Sequence, residues 1–320
     1  MSKKTLYLEC YSGISGDMVT AALLDLGADE AVLRKALASL PLDGFSIKIS
    51  RVKKSGLDAC DFDVVLDAAH ENHDHDMAYL YGDYHEHTHE HHHDHEEHHA
   101  DAPHGHDHNA HHHEHRGLHE ILDILNRAEL TDRARATAVR IFTILGEAEA
   151  KAHGATLETV HFHEVGAVDS IVDITAAAVC LDNLGIDEVI IPALYEGTGT
   201  VRCAHGVLPI PVPAVANIVA AEHLTLHITH AHGEYVTPTG AAIAAAVRTS
   251  EALPSAFTVE KIGLGAGKRE QELPGFVRAM LICPTSGFHT AQDTICKLET
   301  NLDDCTGEAL GYVMERLLAA

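Results

Sequence analysis

The sequence predicts a mixed α/β (α+β) fold interrupted by a long histidine-rich insertion, and three observations carry that prediction. Short β-like runs alternate with stretches of helical periodicity along most of the chain. Residues 5–11 alternate in the manner of a strand, Ser12-Gly13-Ile14-Ser15-Gly16 reads as a tight loop, and Asp17 opens an apolar helix reaching about residue 26. Between His70 and His115 lie nineteen of the 29 histidines, with twelve Asp or Glu and no Lys or Arg. A segment so polar and so repetitive in charge cannot offset its ordering entropy, so the tract is expected to be disordered.

After the first helix a second is expected over 30–40, then two strands over 45–52 and 59–66 joined across Ser55-Gly56. Beyond the tract, Leu118, Ile121, Leu122 and Leu125 keep one helical face, and Thr131-Asp132 caps a longer helix to about residue 153. Further helices are expected over 168–184, 213–221 and 238–247. Strands are expected over 188–191, 200–203, 224–228, 258–262 and 277–283. A boundary falls near 284–292. The chain is thus divided into an α/β domain (1–68 and 116–285), the His-rich loop (69–115) and a C-terminal portion (286–320).

Composition narrows the function classes. At 320 residues and 46% apolar content the chain can fill real cores. A formal charge of -26, still clearly negative without the tract's acids, argues against nucleic acid as a partner. No run approaches the roughly 18 apolar residues of a spanning helix, so no membrane role is expected. Seven scattered cysteines without a C-x-x-C pair suit a reducing compartment, and a cytoplasmic location is inferred.

Neutral imidazole is a ligand shared by nickel, zinc, copper and cobalt. Runs containing His91, His92, His93 and His95, or His111, His112 and His113, therefore mark the tract as transition-metal binding without selecting the metal. In the ordered part three constellations stand out. The first is Tyr11-Ser12-Gly13-Ile14-Ser15-Gly16-Asp17, where Ser15 and Gly16 precede a helix N-terminus suited to a phosphate, although Asp17 can itself cap that helix. The second runs from His161 to Asp173: His161 and His163 share a face if extended, Glu164 follows, and Asp169 and Asp173 stand one helical turn apart. These five are metal-ligand candidates; core histidines and capping acids are the competing account. The third joins Thr198-Gly199, His205, and Thr237-Pro238-Thr239-Gly240, whose hydroxyls and backbone donors suit a phosphorylated ligand or a plain N-cap. Lys261 to Lys268 is glycine-rich and a further anion-site candidate. No P-loop, H-E-x-x-H or G-x-S-x-G motif occurs.

GISGDM at 13–18, VHFHEVGAVDSIVDI at 160–174, GTGTVRCAHGVLPIPVPA at 197–214, VTPTGAA at 236–242 and ETNLDDCTGE at 299–308 together resemble the LarC family, the nickel insertases of nickel-pincer cofactor synthesis. The resemblance covers nearly the whole chain. It implies insertion of Ni(II) into pyridinium-3,5-bisthiocarboxylic acid mononucleotide with formation of a carbon–nickel bond, CTP consumed with Mg or Mn assisting, and delivery to apo lactate racemase and related 2-hydroxyacid epimerases. It also implies a ferredoxin-like C-terminal domain that binds CTP, of which this chain holds only the beginning. Asp303 and Asp304 would there face the CTP metal. Some relatives are made from two reading frames, so a separately made C-terminal domain is an expected partner, and an oligomer is compatible with the sequence. Glu9-Cys10 stands where many relatives carry Asp.

In that setting His161, His163, Glu164, Asp169 and Asp173 become nickel-handling residues, and Asp17 an assisting ligand. His163, Glu164 or His205 becomes the base for the ring proton. Ser15, Gly16, Thr198, Gly199, Thr237, Thr239 and Gly240 are candidates for the substrate phosphate. Two rival functions use the same residues: a nickel or zinc storage and delivery protein without turnover, and a metal-assisted hydrolase.

Overall fold

Leu6 and Leu8 on one face of the first strand and Tyr7 on the other are all buried, because this strand lies inside a sheet and not at its edge. The computed structural model describes residues 3–67, 76–82, 116–162, 167–203, 205–285, 299 and 304–318; of His161 it describes the backbone alone. Two units divide the chain, Met1–Thr285 and Ser286–Ala320.

In chain order the first unit contains β1 (Thr5–Glu9), α1 (Gly16–Leu26), α2 (Glu30–Ala38), β2 (Phe45–Lys54), β3 (Leu57–Leu66) and α3 (Met77–Tyr81). Then come β4 (Arg116–Gly117), α4 (Leu118–Arg127), α5 (Asp132–His153), β5 (His161–Phe162), α6 (Val168–Leu184), β6 (Glu188–Ile190), β7 (Leu194–Thr198), β8 (Thr200–Cys203) and β9 (Gly206–Pro209). The unit closes with α7 (Pro213–Ala221), β10 (Leu226–His232), α8 (Pro238–Val247), β11 (Phe257–Ala266) and β12 (Phe276–Pro284). The described part of the second unit is one helix, α9 (Gly307–Leu318), with no buried residue.

Six strands form a mixed sheet in the order β2-β3-β11-β12-β1-β6. β1 runs antiparallel to β12 and parallel to β6; β11 is antiparallel to β12 and parallel to β3. α1 packs directly on β11, and the glycines of β11 explain how. A Cβ on Gly263 would lie 2.2 Å from the Ala22 carbonyl oxygen, and one on Gly265 2.0 Å from that of Met18. The Lys261–Lys268 glycines therefore serve helix–strand contact, and the anion site expected there is corrected: its space is filled by α1. Leu6, Leu8, Leu23 and Leu26 are wholly buried on this side, each contributing about 2 kcal/mol by removal of apolar surface.

α5, held at its start by the Thr131 hydroxyl and stopped by Gly154 at φ 63°, packs against α6, α7 and α8. β7 and β10 pair in parallel, β8 and β9 form a hairpin, and β4 pairs with β5. Residues 76–82, expected within the disordered tract, form an ordered turn of helix instead. Met77, Tyr79, Leu80 and Tyr81 supply apolar anchors that the surrounding histidines lack, and Leu80 is buried. The tract residues 83–115, including His91, His92, His93, His95, His111, His112 and His113, lie outside the described residues.

Candidate functional site

The loop before α1 is fastened to the turn before α8. Ile14 N–H donates to the Tyr235 carbonyl at 2.9 Å and Thr237 N–H to the Ile14 carbonyl at 3.1 Å, a parallel bridge between Ile14 and Val236. Two glycines allow the approach. A Cβ on Gly240 would lie 2.2 Å from the Ile14 carbonyl oxygen, and one on Gly16 would lie 2.9 Å from Asp173 Oδ2 and 3.0 Å from Thr239 Cγ2. The N-terminal turns of α1 and α8 and the second turn of α6 thus meet at one place. Ser15, Gly16, Asp17, Asp173, Thr239 and Gly240, far apart in sequence, are brought together there.

Carboxylates dominate this pocket. Asp17, in the first turn of α1, is 8% exposed and accepts a hydrogen bond from the Ser15 hydroxyl. Asp169 and Asp173 follow on α6, and Thr20 of α1 donates to the Asp173 carbonyl at 3.4 Å. Asp173 Oδ1 is buried and meets no hydrogen-bond partner among the described residues. Burial first, then the charges of Asp17 and Asp169, push the Asp173 carboxyl well above the usual carboxylate range; Lys268 pulls the other way and does not win. Lys268 is engaged elsewhere, 2.5 Å from Asp61 and 3.3 Å from Asp63. Among the described residues no three His, Cys, Asp or Glu side chains already converge as a metal site.

A second buried acid lies on β7. Glu196 is fully buried, and its Oε1 accepts three backbone N–H bonds, from Gly197 at 2.8 Å, Tyr235 at 2.7 Å and Val236 at 3.2 Å. Its Oε2 has no partner among the described residues. Burial raises the carboxyl to about 7, with the Glu234 charge adding to it, even though the three N–H donors oppose the rise. Glu234 itself is neutralised by Arg269 at 2.6 Å. Next to Glu196, Tyr195 forms an aromatic ledge: Tyr11 meets it edge-on at 4.8 Å and His227 stacks on it at 4.8 Å, with Tyr11 53% exposed.

The remaining sequence candidates are distributed. Thr237 caps α8 by accepting the Gly240 N–H at 3.1 Å, and Thr198 donates to the Ala231 carbonyl at 3.2 Å beside Gly199. His205 lies in the β8–β9 turn with its ring 4.7 Å from that of His153. The His161 backbone pairs with Gly117. His163 and Glu164 lie outside the described residues, as does Asp303, while Asp304 is exposed ahead of α9. Sequence reasoning missed Glu196, Asp61 and the pairing of Tyr11 with Tyr195 and His227, and it read Lys268 as part of an anion site where the structure pairs it with Asp61. Glu196 precedes the Gly-Thr-Gly motif and was findable by proximity to it; the others share no local pattern, since β3 and β11 come together in the six-stranded sheet and β7 and β10 in a separate parallel pair.

The family model described as "Nickel insertion protein" matches residues 6–320. The chain is 50% identical to the pyridinium-3,5-bisthiocarboxylic acid mononucleotide nickel insertion protein of Alkaliphilus metalliredigens, over 98% of this chain and 71% of that protein. Proteins of the same name from Geobacillus kaustophilus and Acetivibrio thermocellus are 38% and 36% identical, over 98% of this chain and 70% and 69% of theirs. No solved structure matches. No helix among the described residues is long and apolar enough to cross a membrane. With a match over nearly its entire length and relatives of this identity, the chain belongs to the nickel insertion protein family.

Proposed function

We propose that this chain inserts nickel into pyridinium-3,5-bisthiocarboxylic acid mononucleotide, the substrate in its relatives' name, and that the Asp17–Asp169–Asp173 pocket is where the metal meets it. The observation that carries this reading is the buried Asp173 Oδ1, which has no hydrogen-bond partner among the described residues. A buried carboxylate in the company of two others requires a proton or a cation, since an unpaired buried charge costs several kcal/mol. Oxygen donors alone suit Mg or Mn as an assisting ion and hold Ni(II) less firmly than sulfur does. Two thiocarboxylate sulfurs and a ring carbon are the stronger donor set, so nickel passes downhill to the substrate.

Making the carbon–nickel bond breaks a carbon–hydrogen bond, and the proton must leave to a base. Buried carboxylates with raised proton affinity are fitted to that task. Asp173 is the base candidate within the pocket, and Glu196, near 7, is a separate proton-holding group on β7 against the Tyr235 and Val236 backbone. His163, Glu164 and His205 remain the sequence's own candidates. The positively charged pyridinium ring is matched by the Tyr11 and Tyr195 faces. Its phosphate is assigned to the Thr198-Gly199 backbone: carboxylates crowd Ser15 and Gly16, the Gly240 N–H is occupied by Thr237, and the Thr198 hydroxyl is given to the Ala231 carbonyl.

CTP with Mg or Mn, a separately made C-terminal domain of ferredoxin-like fold, delivery to a lactate racemase and a cytoplasmic location belong to the proposal through the family resemblance. No step is assigned to CTP. The His-rich tract is the nickel reservoir.

The test is an insertion assay with the chain, Ni(II), the mononucleotide and Mg-CTP, read by activation of an apo lactate racemase, with and without a supplied C-terminal domain. Activation by wild type that drops about 100-fold in Asp173→Asn supports the pocket. Activation unchanged in that variant removes the pocket from the chemistry. Tight nickel binding without activation under any condition leaves a storage protein.

A further inference from the structure

Two short contacts meet where the α5 C-terminus approaches the β8–β9 turn that holds His205. His153 Nε2 is 3.5 Å from Glu149 Oε2, one helical turn earlier, and Cys203 Sγ is 3.9 Å from His205 Nδ1 across the β8–β9 turn. The His153 and His205 rings join the pairs at a centroid distance of 4.7 Å. One thiol, two imidazoles and one carboxylate are thereby gathered from two elements. With metal–nitrogen bonds of about 2.0–2.1 Å and metal–sulfur bonds of about 2.3 Å, neighbouring donors of a tetrahedral ion sit about 3.3–3.7 Å apart. The two contacts are close to those edge lengths. His153 is 33% exposed and Glu149 15%, Cys203 is partly buried and His205 exposed. The side chains do not yet converge on one point. The two pairs and the ring contact between them are what the proposal rests on.

The neighbourhood supplies a reason for a metal to arrive here. α3, whose C-cap Gly82 stands just before residues 83–115, packs against β8, and the Arg202 guanidinium lies 5.6 Å from the Tyr79 ring centre. Arg202 is the immediate neighbour of Cys203. The ordered anchor of the histidine-rich sequence is therefore seated on the strand that ends in this cysteine.

We infer that Glu149, His153, Cys203 and His205 form a seat for one divalent transition-metal ion, receiving Ni(II) from the His-rich tract before it reaches the substrate. The nickel identity rests on the insertion function; the seat itself rests on the four residues. A thiolate added to imidazole and carboxylate gives a donor set softer than the tract and less soft than the substrate's two sulfurs and carbon. A metal moving from tract to seat to pincer thus meets successively better donors for a borderline ion.

The experiment uses the full chain and Co(II) as a spectroscopic probe, because a thiolate-to-cobalt charge-transfer band reports sulfur ligation and no cysteine occurs in the tract. One equivalent of cobalt per chain is expected to produce the band. Cys203→Ser abolishes it, His153→Ala and His205→Ala each weaken binding at that site at least about tenfold, and Cys305→Ser leaves it intact. No band in wild type, or a band that survives Cys203→Ser in a chain with an unchanged melting profile, overturns the seat. Nickel insertion is measured on the same samples. A band without any insertion by wild type would leave the seat standing and remove the proposed function. Insertion at the wild-type rate by Cys203→Ser under limiting Ni(II) would overturn the receiving role.

Discussion

The two charged clusters of this protein are opposites. Asp17, Asp169 and Asp173 sit in a pocket assembled from three helix N-terminal regions, where glycines at 16 and 240 are needed to bring the backbones into contact. Glu149, His153, Cys203 and His205 sit, partly exposed, on one helix end and one hairpin turn. The pocket is hard, anionic and built by long-range packing; the other cluster is softer and consists of two local pairs joined by one long-range ring contact. Enclosure strengthens electrostatics and makes an unneutralised carboxylate costly, so the pocket is held in a high-energy state that a cation or proton relieves. Exposure makes the other cluster cheap to maintain and open to exchange. A protein that must accept a metal and then give it up can use both properties.

The largest separation of the two is expected from Gly240→Ala. The added methyl would have to displace the Ile14 carbonyl 2.2 Å away, so the α8 turn and the α1 loop must move apart, with a loss of about 3 kcal/mol or more. Urea unfolding measures it. The surface cluster shares no residue with that contact, so cobalt binding in the folded fraction is expected to be retained; its loss would show the two clusters to be one site.

Next in size is the pH dependence supplied by Glu196. In an unfolded chain this carboxyl releases its proton near 4.5, and in the fold at about 7. Between those values the native state holds a proton that the unfolded state has lost, so stability falls as pH rises from about 4.5 to about 7 and is level above. The contribution is about 3 kcal/mol over that window. Glu196→Gln keeps an oxygen for the three backbone donors and is expected to remove this component of the slope in melting temperatures taken from pH 5 to 8. A slope equal to that of wild type would place the titration elsewhere.

A smaller effect of opposite sign is expected for Asp173→Asn. Removing one of three crowded carboxylates relieves repulsion and burial of charge, raising stability by about 1–2 kcal/mol at neutral pH in metal-free protein while insertion falls. A loss of stability in chelator-treated samples would mean that Asp173 is paired and not strained. The smallest effect is expected at the surface: Cys203→Ser changes stability by no more than about 0.5 kcal/mol, since a half-exposed hairpin-end side chain has little packing to lose. A larger drop in calorimetry would make this cysteine a structural element.

Much of the secondary structure was legible in the sequence, and the reason is local. α6 over Val168–Leu184 carries its own stop at Gly185, and α7 and α8 carry their own starts in a proline at the first turn. β7 and β9 were not legible. Leu-Tyr-Glu-Gly-Thr and Gly-Val-Leu-Pro are short, contain turn-forming residues and become strands only through β10 and β8. Residues 76–82 were submerged in a polar tract whose composition masked five residues with a helical and apolar character of their own.

Of the candidate site, the residue types were visible but not the partnerships. The sequence by itself determined the family, the histidine-rich composition of the tract, the glycine loop and the carboxylates of α1 and α6, because motifs and periodicity are written in neighbouring residues. Only the tertiary structure decided that Gly16, Asp173 and Thr239 touch, that Glu196 is buried against three N–H groups with one oxygen left over, and that His205 belongs with His153. Burial and like-charge crowding depend on which backbones pack together, and no local pattern records that.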